Sequence, residues 1–201
     1  MQDKETDTYW SIMQGKAVAG KFRGTELREL VAEKTTWTQW KQKHPDTRVW
    51  SLGGRQDRSL VTFDQIQNSN GFRGLIATDE RLATKDPVFG FLQQGEAVAV
   101  SFDSFVDGAT FQLAEGSLFL FRSGTDPVER STVAYFSKAG FESIDGKWQE
   151  KQSKNMFDVA SRKFVDQIDG ERDSEVELFA RGFDTWWYNW SLNNPQTRLL
   201  E

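Results

Sequence analysis

The chain has 201 residues, 37% of them hydrophobic and 27% charged, with a formal net charge of −5. That length suits one domain, or two small pseudo-symmetric ones, with a real core. The acidic balance, with no basic run, argues against nucleic acid as a partner, because phosphate binding needs concentrated Lys and Arg.

The absence of Cys excludes disulfides, thiolate metal sites and Cys nucleophiles, and a single histidine, His44, excludes multi-histidine metal centres. No metal or cofactor is expected. No apolar run approaches the ~20 residues of a membrane span, and no signal peptide opens the sequence. Aromatic residues reach 13%, with 16 Phe and 8 Trp, so they supply much of the buried area.

Residues 3–34 are punctuated by Gly15, Gly20 and Gly24, which predicts a meander of short strands. Glu26 to Ala32 fits a strand or a helix, and is read as a strand because it leads directly into a capped helix. Thr36 followed by Gln39 is a capping box that opens this helix. Trp37 and Trp40 lie three apart on one helical face. Pro45 disfavours helical geometry at His44 and ends the helix there. Gly53 and Gly54 break the chain, a single helical turn is expected over 62–66, and 68–74 reads as a polar loop. Pro87 then starts an apolar strand that Gly95 and Glu96 turn back through Ala97 to Phe102. Ala109 to Leu113 and Ser117 to Arg122 form a second hairpin about Glu115 and Gly116, and Thr132 to Phe136 forms another strand. Asn155 to Ala160 and Arg162 to Gln167 are two more strands about a turn, and 170–175 is a charged loop. Val176 to Ala180 leads to a second helix, with Asp184 or Thr185 as its cap.

That second helix repeats the first. Thr35 to Arg48 matches Thr185 to Arg198 without a gap, and Trp37/Trp187, Trp40/Trp190, Pro45/Pro195, Thr47/Thr197 and Arg48/Arg198 coincide. The expected fold is therefore α+β, mostly antiparallel β with short helices. It carries an internal duplication of a β-rich half-unit ending in a Trp-x-x-Trp helix and Pro-x-Thr. We expect one domain over 1–201, with half-units over about 3–52 and 145–200 flanking a central antiparallel region over about 77–137.

Several blocks carry a family resemblance. The series Asp3, Thr6, Trp10, then Gly15, Ala17, Gly20, Gly24, Leu27, then Trp37, Trp40, His44, Pro45, Thr47, Val49 resembles the start of the DUF3179 family. Asp79, Arg81, Leu82, Lys85, Val88, Gly90 and the closing Trp187, Trp190, Pro195, Thr197 resemble its later blocks. The family is of unknown function. Members often look exported, so the resemblance implies a periplasmic or extracellular setting. They also carry an N-terminal stretch with a short Cys-containing motif. This sequence does not include that stretch, and no role of it is carried over.

The chemistry-bearing residues are few. His44 stands near Asp46, but the matching position in the second copy is Asn194, so the repeated helix does not require an imidazole there. Asp79, Arg81 and Lys85 cluster before a strand and offer an anion clamp or an internally paired charged turn. Gly15, Gly20 and Gly24 lack the Lys-Ser/Thr of a phosphate loop, and no Asp-x-Asp-x-Asp-Gly calcium loop is present. The leading reading is a non-catalytic module that binds a small ligand, carbohydrate or peptide in an aromatic-lined cleft. Its candidate residues are Trp10, Trp37, Trp40, His44, Arg81, Lys85, Trp187 and Trp190. The alternatives are a hydrolase using His44 or a carboxylate pair, and a structural or protein-interaction domain.

Overall fold

A computed structural model describes residues 1–28, 35–49, 75–125, 131–166 and 176–201. The expected turn at 62–66, the loop at 68–74 and the glycine break at 53–54 lie outside the described residues. So do residues 29–32 of the stretch read as a strand over 26–32, and the loop over 170–175.

The first strands are β1 (Gln2–Asp3), β2 (Thr8–Ser11) and β3 (Lys16–Ala19), which form an antiparallel meander. Its turns are shaped locally. Asp3 accepts hydrogen bonds from the Glu5 amide and the Thr6 hydroxyl, and Gly20 has φ +88° where a Cβ would meet the Asp7 carbonyl. Only glycine fits there. Helix α1 (Trp37–Lys43) follows.

Next come β4 (Pro87–Gln93), β5 (Glu96–Ser101), a 3-10 turn (Phe102–Phe105), β6 (Ala109–Leu113), β7 (Gly116–Phe121) and β8 (Val133–Ser137). The two hairpins and the following strand form as the apolar runs and Gly-containing turns predict. Strands β9 (Phe141–Ile144), β10 (Lys147–Glu150), β11 (Met156–Asp158) and β12 (Lys163–Val165) make an antiparallel sheet of their own. The chain closes with β13 (Glu177–Leu178), β14 (Gly182–Trp186), helix α2 (Trp187–Asn193) and β15 (Arg198–Leu200). The fold is thus α+β, mostly antiparallel β with two short helices among the described residues.

Three sheets and α2 are stacked in layers. One sheet has the order β14-β4-β5-β15, with only the β15–β5 pairing parallel; a second has the order β13-β8-β7-β6. Successive side chains on a strand point to opposite faces. Phe89, Phe91, Val98 and Val100 therefore meet Phe111, Leu118 and Leu120 of the second sheet, around Phe102 and Phe105. From the far face of β7, Phe119 and Phe121 meet Phe141, Phe157 and Phe164 of the β9–β12 sheet. The far face of β4 and β5 offers Val88 and Ala99 to Trp187 and Trp190 of α2. Strands β4, β5 and β7 are covered on both faces, which is why they read as continuous apolar runs rather than alternating ones.

Two polar ties cross these layers. Arg122, buried against the Phe102 ring, pairs with Asp184 at 2.9 Å and so links β14 to the end of β7. Buried Glu150 accepts from the Ser137 hydroxyl at 2.6 Å and from the Ser153 amide and hydroxyl at 2.6 and 2.7 Å, fastening β8 to the β10–β11 turn.

Candidate functional site

The two Trp-x-x-Trp helices share local geometry. Each is seven residues long, and the capping residues His44 and Asn194 have φ/ψ of −132°/71° and −135°/72°. The amide of each cap donates to the carbonyl of its second tryptophan, Trp40 or Trp190, at 2.8 and 3.0 Å. Proline follows in both copies, and the amides of Thr47 and Thr197 return to His44 and Asn194.

Their starts differ. Thr36 caps α1 as expected, its hydroxyl accepting from the Gln39 amide at 3.3 Å, while the Gln39 side chain pairs with the Thr35 hydroxyl. Neither Asp184 nor Thr185 caps α2. Strand β14 stays paired with β4 through Trp186, which sits opposite Pro87, so Trp186 takes the cap position without a side-chain bond. The free amides of the first turn are satisfied by the chain ahead of β4. Trp187 N–H donates to the Asp86 carbonyl and Tyr188 N–H to the Thr84 carbonyl, each at 2.9 Å.

The same 79–86 segment clasps the α2 indoles. Trp187 Nε1 donates to the Asp79 carbonyl at 2.8 Å. Arg81 lies 5.3 Å from the Trp187 ring centroid, binds both carboxylate oxygens of Asp79, and donates to the Thr197 carbonyl at 2.9 Å. That pairing holds the Asp79 carboxyl below the usual carboxylate range and raises Arg81. Lys85 Nζ stands 5.4 Å over the Trp186 ring. An open concavity of about 680 Å³ lies on this segment, edged by Asp79, Glu80, Thr84 and Lys85.

Arg81 and Lys85 thus lie beside the start of α2, which carries Trp187 and Trp190. However, both indoles are 0% exposed, and the Arg81 guanidinium is taken up by Asp79 and Thr197. Trp190 packs on Gly90 and against Phe183 at 5.7 Å.

Trp37, Trp40 and His44 form a second group on α1. Trp37 is 52% exposed and Trp40 is 37% exposed. The rings are nonetheless held. Trp40 Nε1 donates to the Thr47 hydroxyl at 2.9 Å, and the His44 ring packs against Trp40 in a tilted pair with centroids 4.2 Å apart. Lys41 Nζ donates to the Pro45 and Thr47 carbonyls and stands 5.7 Å over the Trp37 ring. No hydrogen bond joins the His44 imidazole to a carboxylate among the described residues. Trp10, the remaining candidate, is half-buried on β2 beside Phe22, and no ring contact joins it to either helix among the described residues.

Sequence reasoning missed Lys41 and Thr47 as the residues that orient the α1 rings. Thr47 was already marked by its coincidence with Thr197; Lys41 was marked by standing where the buried copy has Ser191. Among the described residues no group of three His, Asp or Glu side chains is placed to hold a metal ion, and no helix is long and apolar enough to cross a membrane.

The described residues thus make an α+β protein of mostly antiparallel sheets with two short helices. The chain belongs to the family described as Protein of unknown function (DUF3179), whose model matches residues 1–197. No curated protein and no solved structure matches the chain.

Proposed function

We propose that this chain is a non-catalytic binding module whose ligand surface is the Trp37–Trp40–His44 face of α1. The observation that carries this is the contrast between the matched helices. The α2 indoles are closed to solvent, while those of α1 are half-exposed yet fixed by Thr47 and Lys41. An exposed large aromatic ring adds nothing to the core, and a ring already held in one orientation loses little entropy when a ligand settles on it. Indole faces are electron-rich and apolar, suited to the C–H face of a sugar ring or to an apolar peptide side chain. This reading assigns Trp187 and Trp190 to the core and Arg81 to the clasp over α2. His44 serves as part of the aromatic surface, packed against Trp40, rather than as a general base.

The test is retention of the full chain on insoluble cellulose, chitin and xylan and on an immobilised casein digest, compared with a Trp37→Ala/Trp40→Ala double variant. Retention of the native chain on at least one matrix, and release of a variant that still unfolds in one cooperative transition, is the expected result. Equal retention of the two proteins, or none of the native chain on any matrix, would overturn the proposal.

A further inference from the structure

In both matched helices the first tryptophan and the threonine of Pro-x-Thr share one cation. In α2 it comes from outside the repeated unit. The Arg81 guanidinium lies 5.3 Å from the Trp187 ring centroid and donates to the Thr197 carbonyl at 2.9 Å, across 116 positions of sequence. In α1 it comes from inside. Lys41 Nζ stands 5.7 Å over the Trp37 ring, and donates to the Thr47 carbonyl at 3.2 Å and to the Pro45 carbonyl. Trp37 matches Trp187 and Thr47 matches Thr197 in the ungapped repeat, so an indole face and a threonine carbonyl make the same cation seat twice. Lys41 stands four residues after Trp37, on the same side of the helix. Its counterpart in α2 is Ser191, buried, with its hydroxyl donating to the Trp187 carbonyl at 2.8 Å. A lysine there would enter the core, where it is almost never fully buried without a partner. The seat is kept while its occupant changes.

Resting on the aromatic-surface reading above, we infer that Lys41 is the positioning residue of that surface. It fills in α1 the seat that Arg81 fills in α2, and so fixes how the Trp37 ring is presented to a ligand. Lys41 does not itself take the ligand, because its ammonium is spent on two carbonyls and the ring. Trp187 is held by burial and by its Nε1 bond to the Asp79 carbonyl as well as by Arg81. Trp37 is 52% exposed, and an exposed side chain hops between rotamers within nanoseconds unless something selects one. A cation over one face selects one, through the negative charge of the ring's face. The two carbonyls anchor the lysine in turn, so that its long side chain is ordered before any ligand arrives. A ligand then meets a ring already in place, and the ordering cost does not fall on binding.

The experiment follows the indole N–H signals of the full chain by heteronuclear NMR, with the Trp37 signal assigned by its loss in Trp37→Phe. Lys41→Met keeps an unbranched side chain of similar helix propensity and removes the charge, whereas Lys41→Arg keeps the charge. In Lys41→Met the order parameter of the Trp37 indole N–H should fall by about a third, the step from a rigid to a flexible group. The backbone amides of α1 should stay ordered. Lys41→Arg should keep the native ring order. Retention of Lys41→Met on cellulose, chitin, xylan or the casein digest, whichever holds the native chain, should weaken roughly threefold to tenfold, and Lys41→Arg should restore it. Unchanged Trp37 order in Lys41→Met would overturn the inference. So would loss of order in the α1 amides themselves, since Lys41 would then support the helix rather than the ring. A loosened ring in Lys41→Arg with α1 intact would overturn the equivalence with Arg81, and a loosened ring with undiminished retention would overturn the positioning role. If no matrix holds the native chain, the aromatic-surface reading fails, and the ring-order measurement judges the cation seat by itself.

Discussion

Trp190 lies flat over Gly90, so close that a Cβ built on the glycine falls 2.5 Å from the indole ring. The contact sets how near α2 approaches the β4–β5 hairpin, and it explains how a fully buried indole fits between a helix and a sheet. Gly90→Ala forces the ring or the helix to move, and overpacking of this kind costs about 1–3 kcal/mol. Thermal unfolding should show a melting temperature lowered by several degrees, since each kcal/mol moves it by about 2–4 °C in a chain of this size. Adding Trp190→Leu to Gly90→Ala should cost less than the two single changes summed, because the smaller side chain relieves the clash. An unchanged melting temperature in Gly90→Ala would sink this account of the packing.

The matched tryptophans should respond unequally to truncation. Trp187→Ala or Trp190→Ala opens a cavity in the layer between α2 and β4–β5, at about 3–5 kcal/mol each. Trp187→Ala also strips the Asp79 carbonyl of its donor. Trp37→Ala and Trp40→Ala remove rings already half in water, so each should cost about 1 kcal/mol or less. Chemical denaturation of the four single variants measures the difference directly. Equal losses at matched positions would mean that α1 is buried in solution as α2 is.

This asymmetry marks where the sequence was readable and where it was not. The hairpins over β4–β7 were legible because long apolar runs broken by glycine-containing turns, at Gly95 and Gly116, are local signals. Thr36 and Pro45 bounded α1 for the same reason. The start of α2 was not legible, since Trp186 stays in the sheet only through its register with Pro87, far away in sequence. Strand β14 escaped notice because it depends on β4 as a neighbour. Arg81 could be matched to Asp79 two residues away, but its bond to the Thr197 carbonyl and its place over Trp187 are long-range. Both Trp-x-x-Trp motifs predict an aromatic helix face, and neither says what covers it. The local signal that separates them is the replacement of Lys41, Lys43 and His44 by Ser191, Asn193 and Asn194 in the buried copy.

Glu150 gives the fold a predictable acid sensitivity. Burial pushes its carboxyl up, but the hydrogen bonds from Ser137, Ser153 and the Gln152 amide together outweigh burial and hold it below the ordinary glutamate value. A carboxyl lowered on folding stabilises the folded state fully above its unfolded pKa, about 4.3. That contribution is lost as pH falls through the lower folded value. Asp79, Asp3 and Asp158, each lowered by hydrogen bonds, act in the same direction. The melting temperature should therefore hold above about pH 5 and decline below it. Glu150→Gln should cost about 1–2 kcal/mol at neutral pH, because an amide cannot accept at both positions the carboxylate fills. It should also flatten the acid-side decline, leaving the part due to the aspartates. Melting curves of the native chain and Glu150→Gln from about pH 7 to about pH 3 separate the effects. Parallel curves would show that Glu150 does not carry its share of the acid response, and that the tie between β8 and the β10–β11 turn works without its charge.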